Sequence, residues 1–200
     1  MAKGIMNNID IPNNISIVGC GTLGSSLAYM LALRHKDNNI DKLTLIDNDI
    51  LEDKNLPYIT MTSKEYLYLP KVMVLRDILT NISDINIEIY YETYPQIDIS
   101  DDSYMIDCRD TSSECSNFSL KLNIDGYYGF INRGPKDIPV VRSSRYTINN
   151  SNYYSILFAG IITRYIFGDV DIENVKTIID LRKGTLYGVF EKKESGLFGL

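Results

Sequence analysis

The sequence has three cysteines, a single histidine and no apolar run long enough to cross a bilayer. Cys20, Cys108 and Cys115 are odd in number and lack CxxC spacing. That argues against a structural zinc site and against a disulfide framework, and it favours a reducing, cytoplasmic setting. The lone histidine, His35, precedes Lys36 and Asp37 near the end of a predicted helix and is expected to be a solvated surface residue. No second histidine exists from which to build a Ser-His-Asp triad. The longest greasy segment, Tyr153 to Phe167, is too short for a membrane span, contains Arg164 and reads as a buried helix. Met1 to Asn14 is polar and lacks the apolar stretch of a signal peptide, so no membrane partner is expected. Positive charge is scarce as well: 20 Lys and Arg stand against 26 Asp and Glu, a net −6, which excludes a nucleic-acid binder of the usual basic kind. Nucleotides stay open, because backbone amides and one or two placed cations can hold them.

What is present is an ordinary globular composition, 44% hydrophobic and 23% charged, which excludes a disordered or fibrous chain. Two hundred residues suffice for one sizeable core. The expectation is a single domain over 1–200, with residues 1–14 as an N-terminal arm and 193–200 as a C-terminal tail. Ile15 to Val18 reads as a short strand, followed at once by Gly19-Cys20-Gly21-Thr22-Leu23-Gly24. Leu23, Leu27, Met30, Leu31 and Leu33 then recur at helical spacing until Asp37-Asn38-Asn39 stops them. Lys42 to Asp47 is a second strand, ending on an acid. Strand, glycine turn, helix and strand make a βαβ unit with parallel strands and a right-handed crossover.

Pro70 is placed to be the first helical residue before Lys71 to Leu79. Ile85, Ile87 and Ile89 alternate as in a half-buried strand, and Ser103 to Asp107 is another. Thr111 and Glu114 form a capping-box pattern that predicts a helix running into Phe118, Leu120 and Leu122. Strands are expected at Tyr127 to Ile131 and Ile138 to Val141, then the buried helix. A hairpin of Thr177 to Leu181 and Thr185 to Phe190 closes the chain around Arg182-Lys183-Gly184. The predicted class is α/β: Rossmann-like, a mainly parallel sheet flanked by helices, with antiparallel C-terminal strands.

In the glycine turn, Gly19 permits the tight bend, Gly21 lets backbone approach a phosphate, and Gly24 lets helix and strand pack closely. The free amides and dipole of the following helix favour an anion there. Asp47 ends the next strand 23 residues after Gly24, near the spacing of an acid that grips ribose hydroxyls. Cys20 within the turn reads as a small buried filler. The tyrosines at 90, 91, 94, 127, 128, 153 and 154 read as sheet and core residues rather than a stacking platform. Lys192-Lys193 reads as a solvated charge pair.

Further residues separate one nucleotide from another. Asp49 lies two positions past Asp47, Asn55-Leu56 follows, Leu69-Pro70-Lys71 opens a helix, and Asp107-Cys108-Arg109-Asp110-Thr111 ends a later strand. In order and spacing, from about Ile15 to Asn123, this constellation resembles the ThiF/MoeB family, the fold of ubiquitin-activating enzymes and their bacterial relatives. The resemblance implies a nucleotide site: Gly19, Gly21 and Gly24 match the phosphate-side turn, Asp47 the ribose acid and Asp49 the second acid of a D-x-D pattern. Asn55 matches the asparagine of an N-L-x-R motif, Lys71 the lysine that neutralises ATP phosphates, and Asp110 the aspartate that holds Mg2+. It implies ATP and Mg2+ as cofactors, a peptide or ubiquitin-like protein as substrate, and a homo- or heterodimer. In such enzymes a C-terminal carboxylate attacks the α-phosphate of ATP, giving an acyl-adenylate and pyrophosphate. Cations are needed because two negative partners meet while charge builds on the leaving group.

The chain also departs from that pattern. Tyr58 stands where N-L-x-R has arginine, and a phenol supplies neither the fixed charge nor the bidentate fork of a guanidinium. Lys54 and Arg76 are the candidates to compensate. No cysteine follows Cys115, so neither a thioester step nor a separate catalytic-cysteine or recruitment domain is expected. Two readings result. One is a Mg-dependent adenylyltransferase acting without a thioester; the other is a catalytically inactive ThiF-like interaction or structural subunit of a larger assembly. An NAD-dependent oxidoreductase would use the glycine turn but leave Lys71 and Asp110 unexplained.

Overall fold

The computed structural model describes residues 13–59, 61–97, 99, 103–110, 118–133, 151–167 and 176–188. The βαβ unit forms as its sequence dictates. Strand β1 (Asn14–Val18) is apolar and almost wholly buried, and helix α1 (Thr22–Arg34) starts directly from the glycine turn. α1 ends before a short 3-10 turn at Lys36–Asn38, after which Asn39 takes a left-handed φ of 54°. β2 (Lys42–Ile46) runs parallel to β1, with Ile17 opposite Leu45.

Helix α2 (Lys71–Thr80) buries Val72, Val74, Leu75 and Leu79 and leads to β3 (Asn86–Tyr90), parallel to β2. Pro70 caps α2 from outside rather than forming its first residue, since it bridges to Ile50 in extended conformation. β4 (Tyr104–Asp107) returns to the other side of β1, also parallel. β5 (Leu120–Asp125), β6 (Tyr128–Arg133), helix α3 (Ser151–Ile166), β7 (Lys176–Asp180) and β8 (Thr185–Gly188) complete the described chain.

One eight-stranded sheet results, in the order β3-β2-β1-β4-β5-β6-β7-β8. Pairing is parallel from β3 to β5 and antiparallel from β5 to β8. The Rossmann-like class with antiparallel C-terminal strands is therefore what the chain adopts. Helices α1, α2 and α3 all contribute to one core with Ile15, Ile17, Leu43, Leu45 and Ile106. The alternation of the strands sends Val18, Ile46 and Met105 into a second, smaller cluster with Phe118, backed by Tyr90 and Tyr94. No described helix is long and apolar enough to cross a membrane.

Three further expectations need correction. Leu120 and Leu122 lie on β5, not on a helix. Their burial alternates with half-exposed Lys121 and Asn123, the two-residue period of a strand. His35 is not solvated: its ring is 13% exposed, and its Nε2 lies 2.9 Å from an Asp84 oxygen. The tyrosines are not uniformly core residues, since Tyr91, Tyr128 and Tyr153 are exposed. Tyr127, Tyr128, Tyr153 and Tyr154 instead meet edge to face at the sheet's antiparallel side, with the Arg182 guanidinium 4.2 Å above the Tyr127 ring. The capping box at Thr111 and Glu114, Cys115, the strand expected at Ile138 to Val141, Lys192-Lys193 and the terminal arm and tail lie outside the described residues.

Candidate functional site

Strand order reverses at β1, with β2 and β3 to one side and β4 onward to the other. In open α/β sheets such a switch point leaves a crevice beyond the carboxyl ends of the strands. Here the crevice is a cavity of about 450 Å³, within the usual range for a small-molecule site. Its wall includes Gly19, Gly21, Asp47, Asp49, Lys71 and Asp110. Six sequence-predicted positions, 91 residues apart at the extremes, thus share one cavity.

The glycine turn is built in three different ways. Gly19 has a φ of +91°, and its N–H donates to the Ile46 carbonyl at 2.9 Å. Gly24 does not line the cavity. A Cβ there would fall 1.9 Å from the Gly19 carbonyl oxygen, so this glycine serves the close approach of helix and turn. Gly21 is the N-cap of α1; a Cβ built on it would meet nothing within 4 Å. No side chain caps this helix end and no acid occupies its first turn, which leaves its first amides without a side-chain partner of the helix's own.

Asp47 is fixed by backbone donors. The Cys20 N–H donates to its Oδ2 at 2.6 Å and the Asp49 N–H to its Oδ1 at 2.8 Å. Burial pushes its carboxyl above the ordinary value, while those amides and Lys71 pull the other way. Cys20 is buried, and burial, Asp47 and Cys108 push its thiol well up; burial does the same to Cys108. Both sulfurs are held as thiols, without the thiolate character a nucleophile needs.

Lys71 reaches the cavity because residues 49–51 are laced to 68–71. Leu51 N–H donates to the Leu69 carbonyl, Tyr68 N–H to that of Leu51 and Lys71 N–H to that of Asp49. The lysine side chain is only 10% exposed, and its Nζ lies 2.7 Å from Asp49 Oδ2. Asn55 stays out of the cavity wall; its side chain accepts the Glu52 N–H at 2.9 Å and closes a capping box on the loop after β2. Tyr58 is exposed and outside the wall too. The two cations that could compensate for it do not line the cavity either: Lys54 pairs with Glu52, and Arg76 is on the exposed face of α2.

The far wall is not legible in the sequence as a set of site residues. Glu92, Thr93 and Tyr94 after β3, Arg109 after β4 and Asn123 on β5 all line the cavity. Arg109 hooks back onto Asp107, giving its Nε to Oδ1 at 2.9 Å and its Nη2 to Oδ2 at 3.1 Å. The only signal for these residues in the sequence is their place at the carboxyl ends of strands. Among the described residues no group of three His, Cys, Asp or Glu side chains gathers as a metal site.

The family model described as the ThiF family matches residues 12–112. No curated protein matches the sequence. Among solved structures, E. coli MccB with ATP superposes with a TM-score of 0.61 at 16% identity, over 87% of this chain and 62% of that one. The Microcin C7 biosynthetic enzyme MccB in complex with N-formylated MccA gives 0.62 at 15% identity, over 87% and 63%. PaaA gives 0.58 at 16% identity, over 87% and 62%. The chain therefore spans a little under two thirds of these neighbours, and at such identity the likeness concerns the fold.

Proposed function

This chain belongs to the ThiF family, and from that premise we propose that its crevice binds ATP and that it adenylates the C-terminal carboxylate of a peptide or small ubiquitin-like protein, without a thioester step. The observation that carries the reading is the shared cavity at the switch point. An uncapped helix end, an ionisable acid held by two amides and a nearly buried lysine converge there from three separate stretches of chain. The space over Gly21, which no side chain fills, is a cradle where a phosphate could approach backbone amides.

In this reading Asp47 holds the ribose hydroxyls and Lys71 answers phosphate charge, exchanging Asp49 for the ligand. Asp110, exposed at the rim, would hold Mg2+. With no three-ligand cluster among the described residues, such an ion would take most of its ligands from phosphate oxygens and water, which is how magnesium is commonly bound. Bound Mg2+ supplies charge neutralisation at the phosphates. The fold neighbours solved with ATP and with MccA support a nucleotide and a polypeptide as ligand classes, and a dimer is the proposed working unit.

A second reading, an inactive ThiF-like subunit, is favoured by one observation: neither Tyr58 nor any arginine near it in sequence faces the cavity. ATP binding and ATP–pyrophosphate exchange decide between them. With a competent acceptor, wild type is expected to do both. Lys71→Ala should weaken ATP by about tenfold or more, the worth of one charge-assisted contact, and Asp110→Asn should abolish exchange in Mg2+. Binding without exchange, whatever the acceptor, would establish the inactive subunit. Absence of any nucleotide binding would remove ATP from the account.

A further inference from the structure

The cavity wall changes character along the sheet. Asp47 follows β2, the glycine turn follows β1, Arg109 and Asp110 follow β4, and β5 contributes Asn123 and Ile124. Strands in a sheet lie about 4.8 Å apart, so Asn123 on β5 stands roughly 14 Å from Asp47, three strands across. With ribose at Asp47 and phosphates over the turn, the nucleotide fills the β2 and β1 side. The reactant that meets its α-phosphate is then left the β4 and β5 side.

Asn123 is half-buried, and its side-chain oxygen accepts the Ile124 N–H at 2.7 Å. A backbone N–H can only donate, so the atom beside it is the oxygen and the carboxamide has one orientation. Its Nδ2 keeps two donors, which have no partner among the described residues. Lys121, two residues earlier and so on the same side of β5, is paired with Asp107 and does not line the cavity. Lys71 is tied to Asp49, at the β2 side. What β5 offers the cavity is therefore a neutral donor beside an apolar side chain. Such a wall serves a leaving pyrophosphate poorly, because charge builds there, and it suits a carbonyl oxygen well.

We infer, on the proposal that this cavity carries out adenylation, that Asn123 binds the acyl oxygen of the acceptor's C-terminal group through its Nδ2. In that reaction one carboxylate oxygen forms a bond to the α-phosphorus. The bond from that phosphorus to the pyrophosphate oxygen breaks, its electron pair leaves with pyrophosphate, and no proton moves. The second carboxylate oxygen loses its share of the charge and becomes the acyl carbonyl. A neutral amide donor holds that oxygen before and after the step. It orients the attack without locking the carboxylate into an ion pair.

Calorimetric titration of AMP and of adenosine 5′-(N-acetyl)sulfamate tests this. The second is a stable analogue of an acyl-adenylate, and its acetyl group presents the carbonyl without any side chain. Wild type, Asn123→Ala and Asn123→Asp are compared, with melting temperatures as the check on folding. Asn123→Ala is expected to leave AMP within about twofold and to weaken the analogue about five- to tenfold, the worth of one neutral hydrogen bond. Asn123→Asp keeps an acceptor for the Ile124 N–H but loses both donors and sets a carboxylate against the acyl oxygen. The analogue should fall further than AMP there too, although AMP carries the greater negative charge. If the folded alanine variant binds the analogue as tightly as wild type, or loses AMP and the analogue equally, Asn123 is a packing residue; the inference is overturned while the nucleotide reading stands. A wild type that binds AMP but not the analogue overturns it as well. A wild type that binds neither removes the nucleotide reading together with this one. Should Asn123→Ala fail to fold, Asn123→Asp carries the decision: a greater loss for the analogue supports the acyl role, and equal losses or none overturn it.

Discussion

Gly21 and Gly24 stand three residues apart in one turn, yet the folded chain needs them for different reasons. At Gly24 a methyl group would collide with the Gly19 carbonyl oxygen, so alanine must open the turn that α1 and β1 share. At Gly21 the backbone has an ordinary φ of −73° and the Cβ position faces empty space. Gly24→Ala is therefore expected to cost more than about 3 kcal/mol, as clashes with backbone in a packed core do. Gly21→Ala should cost about 1 kcal/mol or less, the effect of a poorer N-cap, while ATP affinity falls because the methyl occupies the cradle. Thermal melts beside ATP titrations of both variants check the contrast. Equal losses of stability, or a Gly21→Ala protein with unchanged ATP affinity, would show that the turn is purely structural. Their places in the turn assign the glycines different roles, and their surroundings supply the distances that set the cost of each substitution.

At the scale of elements, the regular pieces are legible wherever periodicity and capping agree. β1, α1, β2, α2, β3 and the β7–β8 hairpin fall within a residue or two of where alternation, helical spacing and the helix start signalled by Pro70 place them. Leu120 and Leu122 are different, because they follow a capping-box pattern yet alternate with polar residues. The alternation matches the pairing of β5 with its neighbours, so these two lie on a strand where a helix is expected. The fit of β6 beneath α3 is not legible at all. Gly129 on β6 faces Phe158 of α3, fully buried, and a Cβ at 129 would come within 2.5 Å of its ring. Gly129→Ala is expected to lower stability by about 1–3 kcal/mol through overpacking. Pairing it with Phe158→Leu should recover part of the loss, so a double-mutant cycle in denaturant melts should give a coupling energy clearly different from zero. Strict additivity would mean that the two elements can separate without cost.

For the whole molecule, one sheet carries the described strands from β3 at one edge to β8 at the other, and all three helices join a single core cluster. The described elements are accordingly expected to unfold as one cooperative unit, with a calorimetric enthalpy that equals the van't Hoff value. Saturating ATP with Mg2+ should move that transition upward as a whole, since a ligand of the native state stabilises everything that unfolds with it. Two resolved transitions, only one of them shifted by ATP, would divide the antiparallel C-terminal half from the βαβ half.

The sparse cysteines, the single histidine and the shortage of positive charge narrow the chemistry of this chain by composition alone. The glycine turn and Asp47 are readable because each follows an element whose period is written locally, whereas Asp49 and Lys71 are readable only through the family resemblance. Arg109, Glu92 and Tyr94 are not, because they reach the cavity through the order of strands across the sheet, and residues far apart in sequence carry no mark of that order. His35 shows the same limit: its partner, Asp84, lies 49 residues away and enters only when α1 and the segment before β3 are brought together. The sequence by itself determined the βαβ scaffold, because local spacing encodes it, and it carries the match to the family. The tertiary structure alone decided which distant charges meet, such as Lys71 with Asp49 and Lys121 with Asp107, because electrostatic pairing depends on distance through space.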